Sequence, residues 1–135
     1  MTDFIVRFVT AGVIFGAIDA VWLSVVANKF YKSQIGSLLL EKPNLIAAVL
    51  FYVIFLIGLL VFVLHPALLA QDWKLALGLG ALFGFVAYAT YDLTNLATLK
   101  DFPVKLVIVD LIWGTAVTAS VSVITYFIVT NWFGQ

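Results

Sequence analysis

Four long apolar runs divide the chain, each bounded by short polar segments: Phe4 to Ala27, Leu45 to Leu64, Leu75 to about Thr98, and Val104 to Val129. A helix crosses a bilayer with about 20 mostly apolar residues at about 1.5 Å rise each, and all four runs are long enough. Pro43 and Pro103 stand just before the second and fourth runs, where a missing N–H is tolerated. His65-Pro66 and Gln71-Asp72 punctuate the exit from the second. The pattern predicts an all-α integral membrane four-helix bundle, a single transmembrane domain over residues 1–135. The first run exceeds a signal-peptide core and has no small-residue cleavage site before the next polar segment, so it is expected to stay as a span. The following YKSQIGSLLLEK mixes Lys32 and Lys42 with Ile35, Leu38, Leu39 and Leu40, and reads equally as an interfacial amphipathic segment or a solvated linker.

Composition strengthens this picture. With 64% hydrophobic and 10% charged residues and a mean hydropathy of +1.17, the chain is far from a soluble domain, about a quarter of which is charged. Its solvent is the lipid bilayer. Net charge is zero and the basic residues are scattered, which excludes the basic stripe that nucleic acid binding needs. The absence of cysteine rules out a disulfide framework, a thiolate nucleophile and a thiolate metal site. Lys29, Lys32, Lys42, Lys100 and Lys105 fall in or beside the first and third loops, against Arg7 and Lys74 on the other side. The positive-inside rule then places those loops in the cytoplasm and both termini outside, in the cytoplasmic (inner) membrane.

Three acids interrupt the spans. Asp19 lies about eight residues before the inner end of its run, Asp92 about six before the end of its own, and Asp110 about seven after Pro103, so all three fall roughly 10 Å below one surface. An intramembrane acid costs about 2.5 to 3.5 kcal/mol on insertion scales, and no lysine or arginine shares their depth. Helical spacing turns them inward. In the third run Phe85, Tyr88, Asp92 and Asn95 form one stripe, with Gly80, Gly84 and Tyr91 on the adjoining arc, while Leu79, Leu82, Phe83, Val86 and Leu93 form the lipid face. In the first run the stripe is Phe8, Gly12, Phe15, Asp19 and Trp22; in the fourth, Asp110 shares an arc with Gly114, Thr118 and Thr125. Asp-x-x-Trp occurs twice, as Asp19 to Trp22 and Asp110 to Trp113. The second run has only Tyr52 as a polar side chain, so it is expected to complete the wall without contributing chemistry.

Asp92, with Tyr88 and Asn95 four residues before and three after it, is expected at the centre of the acid cluster. Each acid could instead be interhelical glue, hydrogen-bonded to Tyr, Thr, Asn or Trp groups on a neighbouring helix. Gly80-x-x-x-Gly84 marks close helix packing, and His65 an interface position. YDLTNLATL, residues 91–99, followed by Asp110 and Trp113 and preceded by Asp19 and Trp22, resembles the bacterial predicted-membrane-protein family known as domain of unknown function 2177. The resemblance covers nearly the whole chain and implies a small multi-span membrane protein, with no activity or catalytic residues to carry over.

Function must therefore come from the cluster of Asp19, Asp92, Asn95, Asp110, Trp22, Tyr88, Tyr91 and Trp113. The leading reading is proton- or cation-linked transport or binding of a small molecule, with the aromatics holding an organic cation by cation–π attraction. One four-helix chain encloses a pathway poorly, so this reading expects a homodimer. The alternative is a membrane enzyme or accessory protein acting on a lipid or isoprenoid, with one Asp as general acid and a second as base; no nucleophile-base pair or metal motif accompanies it. A structural subunit of a membrane complex is the third. A hard cation such as Mg²⁺ or Ca²⁺ on Asp19, Asp92, Asp110 and the Asn95 carbonyl suits oxygen ligands. No cofactor is named by the sequence.

Overall fold

The computed structural model describes residues 2–135. Among them the secondary structure is wholly helical, and four helices are long and apolar enough to cross a membrane: helix one, Thr2–Leu38; helix two, Leu45–Ala70; helix three, Trp73–Thr98; helix four, Val104–Asn131. They form a bundle. Helix two starts at Asn44, whose side chain accepts from the Ala47 N–H at 3.2 Å, and ends at Gln71, which takes the left-handed conformation at φ 52°. Asp72 then caps helix three by accepting from the Lys74 N–H at 2.9 Å. The tightness of this two-residue turn forces helices two and three to run antiparallel. At the same end, Arg7 Nε donates to the Gln135 side chain at 2.7 Å, tying the two termini together.

Helices three and four make the main seam. Ala76, Gly80, Gly84 and Asp92 are buried on one, and Leu106, Asp110, Gly114, Thr118 and Ser122 on the other, both at spacings of four or its multiples. Interdigitating i±4 ridges explain this spacing. The glycines are needed there: a methyl at Gly80 would strike Ser122 and Ala119, and one at Gly84 would strike the Gly114 carbonyl and Thr118. Such a seam drifts about 40° per step around a helix, so Phe85, expected inward with Asp92, instead points outward and is 45% exposed. Leu79 and Phe83, expected to face lipid, are half-buried against helix two, where Phe83 lies on the bare backbone of Gly58. Leu82, Val86 and Leu93 do face outward.

Two helices run past their expected ends. The first part of the segment after Ala27 continues helix one to Ile35 and closes with a 3₁₀ turn at Gly36–Leu38, and only residues 39–44 form an irregular exposed connection to helix two. Phe30, Tyr31 and Ile35 pack against Phe102, Leu106 and Val107 at the start of helix four. Helix two likewise passes through His65-Pro66 to Ala70. Each of these helices contains one π-turn, Leu23–Ala27 and Leu60–Leu64, in which the N–H of Asn28 bonds to Leu23 and that of His65 to Leu60. The second π-turn precedes Pro66, where widening the helix relieves the clash between the proline ring and the preceding turn.

Helix two packs unevenly. Its second half buries Phe55, Leu56, Leu59, Leu60, Val63 and Leu64 in the bundle core. Between Leu45 and Ile54 only Ala48 and Tyr52 are partly covered, so the helix stands off the bundle at the level of the acids.

Candidate functional site

All three acids turn inward: Asp19 is 7% exposed, Asp92 0% and Asp110 8%. Asp19 and Asp110 line one small polar cavity of about 130 Å³, together with Tyr31, Tyr52 and Tyr88. Tyr52 of helix two donates its hydroxyl to Asp19 Oδ2. Tyr31, beyond the π-turn of helix one, donates to Asp110 Oδ1 at 2.5 Å. Each carboxylate is thus held through one oxygen by a phenol from another part of the bundle, and both border the cavity. Tyr88 lies within electrostatic reach of all three acids.

The expectation for helix two needs correcting. Tyr52 contributes directly to the cluster, because the helix leans its one polar side chain onto Asp19 while the rest of that half stands clear. Tyr31 was assigned no role, since its segment read as an interfacial piece or a linker. Its ring starts above the acids, and side chains on a helix tilt back toward the N-terminus, which brings the hydroxyl down to Asp110.

Asp92 is not the hub. It sits behind Asp110, buried against helix four; no donor reaches either of its oxygens, and the Asp110 carboxyl lies within hydrogen-bonding reach, so the two can bond only by sharing a proton. Asp110 is the connecting residue, since it touches the cavity, accepts from Tyr31 and neighbours Asp92. Asn95 is half-buried beside Tyr91, and Tyr91 is 54% exposed, at the outer edge of a groove that also reaches Tyr88 and Asp110. Among the described residues no three His, Cys, Asp or Glu side chains converge closely enough to hold a metal ion. The hard-cation arrangement on three aspartates is therefore not formed, with Asp92 turned into the helix seam and one oxygen of each other acid taken by tyrosine.

Trp22 and Trp113 come together as the two Asp-x-x-Trp segments suggest, but against each other. Their rings stack with centroids 4.1 Å apart and planes within 8°, so no cation fits between them. They wall the cavity from one side. Lys105 on helix four, the nearest base along the chain to Asp110, is directed instead over the Phe30 ring, 6.0 Å from its centre.

These features define a polytopic helical membrane protein with a buried carboxylate-tyrosine cluster. The chain belongs to the predicted membrane protein family DUF2177, whose profile matches residues 4–127. No curated protein and no solved structure matches it.

Proposed function

We propose that this protein binds a small organic cation at the Asp19–Asp110 cavity, in exchange for a proton, as the binding step of cation-linked transport across the inner membrane. The observation that carries this reading is the pair of carboxylates on one small polar cavity, with no basic side chain to balance them. In a medium of low dielectric such a pair is neutralised by protons or by a bound cation, and the two compete for the same oxygens. A cavity of about 130 Å³ suits an ammonium-sized group. The basic bias of the first and third loops supports an orientation with this end of the bundle toward the cytoplasm.

The test is methylammonium binding to the protein in phosphatidylcholine nanodiscs as a function of pH. If one proton leaves for each cation bound, affinity rises with pH by up to about tenfold per unit and falls on acidification, because protons then win the competition. Asp110→Asn should flatten this slope and weaken binding. Affinity that ignores pH, or that survives Asp19→Asn and Asp110→Asn unchanged, rejects the reading.

A further inference from the structure

Asp19 faces a second space. Between helices one and two runs an apolar groove of about 350 Å³, floored by Gly12, Gly16 and Ala20 and walled by Phe15 and Leu56, with Asp19 and Tyr52 as its polar groups near the inner end, where Leu23 closes it. Gly16 is the informative residue. A methyl built there meets nothing within 4 Å, so packing within this chain does not require glycine, which in a helix costs about 0.5–1 kcal/mol relative to alanine. The missing side chain leaves the floor of the groove open.

Three observations select the occupant. First, the inner part of the groove carries a carboxyl, Asp19, that is 7% exposed and has one of its oxygens bonded, by Tyr52. Second, Asp19 and Tyr52 also line the polar cavity, so the groove and the cation site are continuous. Third, from Asp19 to Gly12 the groove runs about 10 Å along helix one, away from the polar end marked by Asn28 and Lys29 and toward the middle of the span. That is the head-to-tail polarity of an amphiphile in the adjacent leaflet. A helix packed into the same groove would answer the glycine floor but not the carboxyl in its inner part.

We infer that the cation held at Asp19 and Asp110 is the head of a single-chain amphiphilic amine, whose hydrocarbon tail lies in the groove between helices one and two after sideways entry from the bilayer. This rests on the cation-binding reading above and names its ligand class. The poorly packed first half of helix two forms one wall of the entrance, and the Tyr52 hydroxyl bonds across it to Asp19.

The probe is octylamine, whose chain is about as long as the groove, compared with methylammonium, which has the same head and no tail. Both are titrated into the nanodisc protein, with empty nanodiscs as the blank for partitioning. A Cβ at Gly16 meets nothing within 4 Å, so a leucine there starts into the groove without its Cβ striking the bundle. Gly16→Leu should therefore weaken octylamine by about tenfold, the equivalent of about 1.4 kcal/mol, and leave methylammonium within about twofold. An octylamine carrying a terminal diazirine should label helix one near Gly12 and helix two near Leu56, and excess octylamine should chase that labelling. Labelling spread over the lipid faces and not chased, or octylamine binding indifferent to Gly16→Leu, overturns the tail assignment. So does a Gly16→Leu protein that changes only from dimer to monomer, which would put a second copy in the groove. In those cases methylammonium binding that still depends on Asp110 leaves the cation site standing, whereas its loss of that dependence removes the reading beneath.

Discussion

Replacing Asp92 by leucine should make this protein more stable. The carboxyl is 0% exposed, no donor among the described residues reaches either oxygen, and the group it touches, Asp110, is a second carboxyl that can bond to it only through a shared proton. A buried polar group without a hydrogen bond costs about 1–3 kcal/mol. Leucine branches at the same atom and adds only the excess volume of two methyl groups over two oxygens, an overpacking cost at the low end of about 1–3 kcal/mol. The balance is a gain of up to about 2 kcal/mol, which for a chain of this size is a rise of up to roughly 10 °C in Tm. Asp92→Asn keeps the shape and, through its amide, a bond to Asp110, so it should change Tm little. Thermal unfolding in detergent, followed by tryptophan emission for the wild type and both variants, measures this. Interhelical glue predicts the opposite order, with Asn nearly silent and Leu several degrees lower; that result would refute the reasoning, because it would mean the carboxyl has a partner worth keeping. A stabilised Asp92→Leu should also show an altered pH response of methylammonium binding, since Asp92 neighbours Asp110. A costly buried carboxyl is retained where function uses it.

Two further outcomes are expected. Tyr31→Phe and Tyr52→Phe each remove one hydroxyl donated to a carboxylate, so each should cost about 1 kcal/mol while keeping the rise of methylammonium affinity with pH; a slope abolished by either would make the phenol a proton carrier rather than a restraint. Because the chain has no native cysteine, single-cysteine variants report orientation directly: in intact cells an impermeant maleimide should label Asp3→Cys and spare Ser33→Cys, and the reverse would invert the bundle.

The spans were legible because a helix crossing a bilayer demands a long apolar run and satisfies that run's backbone within itself, whereas the closed barrel needs short alternating strands instead. The acids were legible for a related reason, since an aspartate at that depth is tolerated only inward. Local departures from a straight helix were not. Phe85 sits seven residues before Asp92, which on an ideal helix puts the two about 20° apart, yet one is exposed and the other fully buried. The seam with helix four advances in fours rather than in sevens, and the spacings Gly80, Gly84, Tyr88, Asp92 and Gly114, Thr118, Ser122 recorded it. Read as a ridge, those small residues would have put Phe85 outside. The mutual stacking of the two indoles was hidden for a different reason. Spacing placed both indoles within a turn of an acid, but only the coordinates show their faces turned toward each other.

Tyr31 shows how one backbone irregularity hides a site residue. It follows Asp19 by twelve positions, which at about 100° per residue leaves it roughly 120° away around a regular α-helix, on a face that could not reach Asp110 alongside Asp19. A π-turn accommodates one extra residue and sets the following helix back by about 100°. With the turn at Leu23–Ala27 counted, Tyr31 returns to within about 20° of the Asp19 face. The same arithmetic governs helix two, where a buried stripe of Phe55, Leu59, Val63 and Ala67 would drift by about 120° over its length without the π-turn at Leu60–Leu64. In helix two the irregularity serves packing and precedes a proline. In helix one no proline accounts for it, and the consequence visible in the structure is that a phenol from beyond the span closes on Asp110. The π-turn of helix one is therefore best understood as part of the site.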